Sequence, residues 1–379
     1  MRMSTRKVKC YAPFYNVYLR ASSRESRVCC TANGHHRIES NEISEIFNND
    51  LAREMRDYML RDEYHPGCHE CKKREDLGLG NDRDMYDTWY RNSSVHLPEP
   101  ALDMTEPYWA DIRPSNLCNL KCRMCYPDNS TEVAREYADL QWPVDSVLKQ
   151  RKHHQLPTLP RVLNLKLLGG EPTLQTEIEQ QLKQLAQQEH SYLNITTNAS
   201  SVTQFKQWET LFKSIAQVSF NVSIDGTAEY YEYIRTPARW DRFRDAVNYL
   251  NNNQLAKYNT LIGFNFCLQA WNFTNYFDTI QYVEQFNPQS ITVNMVDQPW
   301  LSLAVIPVAY RKTWFEGLSS VEKKVLERRR ALKKWSDHTP FDPEQVPKFI
   351  QYSRTIDSHR GTDYSKLNPE LWESVVNSV

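Results

Sequence analysis

The chain has 379 residues, 40% hydrophobic and 25% charged, with 46 basic and 47 acidic side chains. That is enough chain for two or three compact units, and the near-neutral balance excludes a global field that would draw in nucleic acid or an anionic membrane. No apolar run approaches the roughly 18 residues of a membrane helix, and the basic, polar stretch Met1–Lys9 is unlike a secretory signal, so a cytoplasmic protein is expected. Nine cysteines without an export signal point to metal rather than disulfides, because cytosolic thiols stay reduced.

In chain order, Tyr15–Arg20 and Arg27–Cys30 are strand-like around a turn at Ala21–Glu25, which predicts a hairpin. From Glu42 to Leu60 the residues Ile43, Ile46, Phe47, Leu51 and Met55 recur at helical spacing. That helix leads to the loop His65-Pro66-Gly67-Cys68. Charge, Gly and Asn then accumulate over 72–105, and a linker is expected at 81–105. From 106 onward, short strand-like runs alternate with helical intervals: Tyr108–Arg113, Val162–Leu168, Tyr192–Thr197, Gln217–Ile224, Leu261–Leu268 and Ser290–Val296. The alternation predicts an α/β fold with a parallel sheet and outer helices. Six units are too few for a closed eight-stranded barrel, so a partial (β/α)6 barrel is expected over 106–300. A small α+β hairpin–helix unit over 1–80 would precede it, and a helical extension over 301–379 would cap it. Lys323–Lys334 is a basic helical run that reads as a solvated face.

Four groups of residues carry chemistry. Cys118, Cys122 and Cys125 follow the first barrel strand on one loop, and Tyr126 comes next. Three thiolates are one short of a sealed structural site, so a coordination position stays open. Asn129 and Glu132 offer a cap for the helix that follows. Gly169-Gly170-Glu171-Pro172 ends the second strand, where glycines let backbone approach a ligand and Glu171 can accept from a cationic amine. Thr196-Thr197-Asn198 ends the third strand. Ser223-Ile224-Asp225-Gly226 ends the fourth, with Arg235 beyond; a guanidinium forks bidentately onto a carboxylate, while Asn198 and Asp225 also suit turn chemistry. At the amino end, Cys10, Cys29, Cys68 and Cys71 supply four thiolates, enough to close a site, and alternation along a strand lets only one of Cys29 and Cys30 point at it. His65 and His69 read as loop residues or outer hydrogen-bond partners. Cys267 reads as core packing, with the barrel interior as its alternative. Asn265, Gln269, Asn294 and Gln298 are candidates to line a cavity.

The loop C-x3-C-x2-C followed by an aromatic residue, with Gly-Gly-Glu-Pro one strand later, resembles the radical S-adenosylmethionine (SAM) superfamily. The resemblance implies that Cys118, Cys122 and Cys125 hold a [4Fe–4S] cluster whose fourth iron takes SAM. It also implies a 5′-deoxyadenosyl radical that abstracts hydrogen from substrate. Gly169, Gly170, Glu171, Pro172, Ser223, Arg235, Asn198, Asp225 and Tyr126 become cofactor contacts. The amino-terminal cysteines resemble a twitch domain, which implies an auxiliary iron–sulfur cluster, usually [4Fe–4S], on Cys10, Cys29, Cys68 and Cys71. That family usually places the domain after the barrel, and the hairpin here lacks its Asp-Gly turn. The implied substrate is a peptide or protein, with a sugar, aminoglycoside or nucleoside as the alternative. The implied electron donor is flavodoxin- or ferredoxin-like. The rival class is a zinc-stabilised nucleic-acid-binding protein, since zinc also accepts four thiolates.

Overall fold

A computed structural model describes residues 8–379 apart from Ser22, 77–80, Ser94, 150–154, Asn253 and Arg330. The amino terminus through Lys7, Ser22 of the expected turn and Arg330 of the basic run therefore lie outside the described residues. No helix among them is long and apolar enough to cross a membrane.

All six expected barrel strands form, as β4 (Trp109–Arg113), β5 (Asn164–Leu167), β6 (Tyr192–Thr197), β7 (Gln217–Ser223), β8 (Asn259–Leu268) and β9 (Ser290–Met295). They pair parallel in sequence order. Three shorter strands precede them: β1 (Asn16–Arg20), β2 (Glu25–Arg27) and β3 (His36–Arg37). The resulting nine-stranded sheet runs β3-β2-β1-β4-β5-β6-β7-β8-β9.

Alternation sorts the faces. Leu193 and Ile195 of β6 are buried, as are Val218, Phe220 and Val222 of β7, while Tyr192, Asn194, Thr196, Asn221 and Ser223 between them are half-buried. Helices cover the apolar face: Phe205 and Phe212 of the helix Thr203–Ser214 pack edge-on against Phe220, with centroids 5.5 and 5.8 Å away. The polar face is left for the interior, and the loops at the carboxyl ends of the strands lie beside it.

The amino-terminal part differs from expectation in three ways. A hairpin forms, with Tyr18 opposite Arg27 and Arg20 opposite Glu25, but its second strand is Glu25–Arg27 rather than the expected Arg27–Cys30, so Cys29 and Cys30 lie beyond the strand. However, β1 also pairs parallel with β4, Tyr18 beside Asp111. Residues 1–80, expected as a unit of their own, thus contribute strands to the parallel sheet, and they share its apolar core through Phe14, Val17 and Leu19. Secondly, the helix expected over Glu42–Leu60 is two, Ile43–Phe47 and Asp50–Leu60, because Asn49 caps the second by accepting from Ala52 N at 3.0 Å. Thirdly, the expected linker 81–105 contains the helix Asp82–Asn92, opened by a reciprocal Asn81–Asp84 capping box.

The carboxyl-terminal residues are helical, as expected. Helices Val308–Gly317, Val346–Arg360 and Pro369–Val376 enclose a second core in which Val346, Phe349, Tyr364 and Leu371 meet Phe266, Leu268 and Trp271.

Candidate functional site

The loop after β4 carries Cys118, Cys122 and Cys125, and its backbone is pinned at many points. Lys121 N donates to Thr236 O at 2.8 Å and Arg123 N to Ile234 O at 3.0 Å. Ser130 Oγ donates to Leu120 O at 2.7 Å while accepting from Val133 N. Ser130, rather than the expected Asn129, therefore caps the helix Thr131–Asp139; Asn129 instead accepts from Arg113 at 3.1 Å.

Cys122 lies close enough to act on both Cys118 and Cys125. Burial pushes all of them up, Cys125 to about 12, and neighbouring thiols add to the rise at Cys118 and Cys125. Each sulfur has a polar contact: Cys118 Sγ with Leu120 N at 3.5 Å, Cys122 Sγ with Arg235 Nη1 at 3.8 Å, and Cys125 Sγ with Tyr126 O at 3.7 Å. The ring of Tyr126 stays 38% exposed.

The turn after β5 presses against this loop. Gly169 and Gly170 have φ of +72° and +49°, and a Cβ on Gly170 would sit 2.3 Å from Leu117 O. One on Gly169 would meet the Arg113 stem at 2.8 Å. Both glycines were expected to clear the way for a ligand. Their immediate neighbours are protein, so they permit close packing of two loops. Pro172 is buried and opens the short turn that follows.

Glu171 departs further from its expected role. It is fully buried, and its carboxylate accepts from Thr173 Oγ1 (2.9 Å), Thr197 Oγ1 (2.8 Å) and Asn198 N (2.7 Å). Burial raises its pKa against these bonds. The side chain clamps the end of β5 to the end of β6, and it is already occupied by protein donors. Asn198, held by that clamp, donates to Asn119 Oδ1 at 3.0 Å and reaches Cys118 Sγ at 4.0 Å.

Asp225 and Arg235 also partner each other. Asp225 is fully buried, accepts from Cys267 N at 2.8 Å, and lies 2.8 Å from Arg235 Nη2. Arg235, buried too, spans the gap between Asp225 and the Cys122 sulfur, and its Nε lacks a protein partner. Ser223 closes β7 half-buried, opposite Asn265. Cys267 belongs to this group rather than to remote core: Asp225, Arg235 and Cys122 all act on its thiol, which burial pushes up. Gln269 and Gln298 are buried near the same loops, Gln298 donating to Met124 O at 2.9 Å. Asn265 is half-buried and Asn294 exposed.

Two contributions have no signal in the linear sequence. Gln175, fully buried, donates to Leu117 O at 3.1 Å and accepts from Ser115 Oγ at 2.5 Å, stitching the glycine turn to the cysteine loop. The other lies in the carboxyl-terminal helices, described below.

At the amino end, Cys10, Cys29, Cys68 and Cys71 line one narrow cavity with Asp82 and Tyr86. The four come from three segments: Cys10 before the first short helix, Cys29 after β2, and Cys68 and Cys71 around the start of the helix His69–Asp76. Burial raises every one, Cys68 to about 11, and Cys68 and Cys71 each raise Cys10. Cys30 does not line this cavity, but it contacts Asp82, which does, through Oδ2 at 3.6 Å, and it raises the neighbouring Cys29 thiol. His65 accepts from Gly67 N through Nδ1 at 3.0 Å and faces Glu54 with Nε2, while His69 lies 3.3 Å from Asn33. His65 is a loop histidine, and His69 opens the helix His69–Asp76. Among the described residues, no three His, Cys, Asp or Glu side chains are arranged to hold a metal ion as they stand.

Residues 112–268 match the family model described as the radical SAM superfamily. That stretch, less than half of the chain, is similar to a radical SAM domain. Its limits run from Ile112 of β4 to Leu268, the end of β8, so the matched span contains both motif loops and the Asp225–Arg235 pair. Members of the superfamily are enzymes, and the domain implies SAM and a [4Fe–4S] cluster. The donors around the loop fit that pair. Three buried thiols cost free energy to ionise unless a metal compensates, and in a cubane each would bind its own iron. Arg235 Nε offers a buried, unused donor beside them.

Among solved structures, the chain is similar to Streptococcus suis SuiB bound to S-adenosylmethionine, at 14% identity over 87% of this chain and 70% of that one, with a TM-score of 0.38. SuiB bound to the precursor peptide SuiA gives 14%, 96% and 71%, with a TM-score of 0.35. The anSMEcpe enzyme with bound AdoMet and the Cp18Cys peptide gives 14%, 54% and 57%, with 0.33. No curated protein sequence matches the chain.

Proposed function

We propose that this protein is a radical SAM enzyme that modifies a peptide or protein and carries an auxiliary iron–sulfur cluster beside its barrel. The observation that carries the reading is the convergence of Cys118, Cys122 and Cys125 on one pinned loop at the carboxyl end of β4. These thiolates would hold the SAM-binding cluster. Bound there, cluster and SAM together supply a 5′-deoxyadenosyl radical that takes hydrogen from substrate.

The chain's own residues divide the remaining work. The Gly169–Gly170 backbone, held by Glu171 and Gln175, offers carbonyls to the SAM amine. Arg235 and Ser223 face its carboxylate and ribose, with Asp225 fixing Arg235. Cys10, Cys29, Cys68 and Cys71 would hold the auxiliary cluster; four thiolates close a site, which favours passing electrons over binding substrate. An external flavodoxin- or ferredoxin-like protein would supply those electrons. What supports a peptide is the sheet edge: β9 ends the strand order and exposes Ser290, Thr292 and Asn294. Such an edge can take an extended chain as a further strand.

The test is anaerobic reconstitution with iron and sulfide, followed by SAM and dithionite. A brown protein that forms 5′-deoxyadenosine supports the reading. A colourless protein that retains zinc and shifts RNA or DNA sinks it.

A further inference from the structure

The carboxyl-terminal helix Val346–Arg360 lies far from the cysteine loop in sequence, yet it supplies much of what holds that loop. Arg123, between Cys122 and Cys125, is fully buried. Its Nε donates to Tyr233 O at 2.9 Å, and its Nη2 donates to Asp357 Oδ1 and Thr362 Oγ1, both at 2.7 Å. The guanidinium carbon sits 3.5 Å from the Tyr233 ring centroid and 5.5 Å from that of Trp271. The same helix binds the loop backbone: Tyr352 Oη donates to Arg123 O at 2.6 Å, and Arg360 Nη2 donates to Lys121 O at 2.6 Å. Arg360 is itself oriented by Glu136, through Nε at 2.7 Å and Nη2 at 2.5 Å, and Lys121 joins that carboxylate at 3.1 Å.

A buried guanidinium is costly to desolvate, and it persists only where an anion and acceptors surround it. Here the anion comes from Asp357, and the place it is held is one residue from a thiol that also faces Arg235. Charges and hydrogen bonds around cluster sulfurs set the reduction potential. Nothing about a helical cap requires a cation at that spot; a leucine would fill the space between Tyr233 and Trp271 as well.

We infer that Val346–Arg360 is a working part of the cluster site: Asp357 fixes the buried Arg123 cation that the cysteine loop carries, Tyr352 and Arg360 fix the loop backbone, and together they set the potential at which the cluster is reduced. Arg123, Tyr352, Asp357 and Arg360 are positioning residues. The inference rests on the reading that Cys118, Cys122 and Cys125 hold a [4Fe–4S] cluster.

The test uses the full chain, reconstituted with iron and sulfide, in a Cys68→Ala background so that only the loop iron is read. Redox titration followed by electron paramagnetic resonance compares Asp357→Asn, Asp357→Glu and Arg123→Met. Removing the anion should move the midpoint positive, removing the cation should move it negative, and Asp357→Glu should restore the parent value. Tyr352→Phe removes a single hydroxyl from a folded helix and should hasten iron loss to a chelator severalfold. Unmoved midpoints, or shifts of one sign in both charge variants, would overturn the inference, as would an unchanged chelation rate in Tyr352→Phe. If the Cys68→Ala parent takes up no iron, the cluster reading itself has failed, and that result is distinct from a loaded parent whose variants match it.

Discussion

The two thiol groups are built in opposite ways. Cys118, Cys122 and Cys125 share one loop, so the chain brings them together locally and tertiary structure only pins the backbone. Cys10, Cys29 and the Cys68–Cys71 pair come from three separate segments, so folding brings them to one cavity. Both sets have charges of each sign around them: Arg235, Asp225 and Arg360 act on Cys122, Asp87 acts on Cys10, and Asp82 and Arg74 act on Cys71. The number of thiols is what separates them. Three leave room for another ligand, whereas four would close a site by themselves.

The largest expected effect breaks the first site. Cys122→Ala should abolish 5′-deoxyadenosine formation under dithionite, and product at the parent level would remove the loop from the mechanism. Cys68→Ala should lose roughly half the iron, as expected for one of two clusters, and leave the loop cluster's spectrum intact; undiminished iron would refute the second site. Cys30→Ser sharpens the same contrast. Cys30 does not line the four-cysteine cavity, although its partner Asp82 does, so the variant's iron content should match the parent.

Gly170→Ala tests the packing between loops. Its Cβ would lie 2.3 Å from Leu117 O at a φ of +49°, so a loss of about 1–3 kcal/mol is expected from backbone strain alone. An unshifted denaturant midpoint would mean that the two loops do not press together. The smallest effect is on pH. Burial pushes Glu136 up, but Arg360 and Lys121 outweigh it and hold it below its ordinary 4.5. A depressed carboxylate stabilises the fold above its unfolded value and loses that contribution as pH falls through the folded value. Stability should therefore decline below about pH 4.5 less steeply in Glu136→Gln than in the parent, as followed by thermal melts.

The parallel strands were legible because each reads as a short apolar run between helical periods, and all six lie where the pattern places them. The loop motifs were legible because their spacing is local. The amino-terminal hairpin was legible as a hairpin, but its union with β4 was not, since no local pattern says which edge a strand joins. The helix Asp82–Asn92 was hidden by its charge, although Asn81 and Asp84 do carry a capping signature. The glycines and Glu171 were legible as a motif at a strand end; that they bind the neighbouring loop and strand depends on contacts between strand ends. Asp357 and Arg360 gave no signal, because an acidic and a basic residue on a helix look like solvated surface until Arg123 and Glu136 are found beneath them.

The central claim is that the Cys118–Cys125 loop leaves one iron free for SAM. The most direct measurement is electron–nuclear double resonance on reduced Cys68→Ala protein with SAM labelled with nitrogen-15 at its amine. A coupling between that nitrogen and the cluster spin is the predicted result. A loaded, reducible cluster with no such coupling would contradict it.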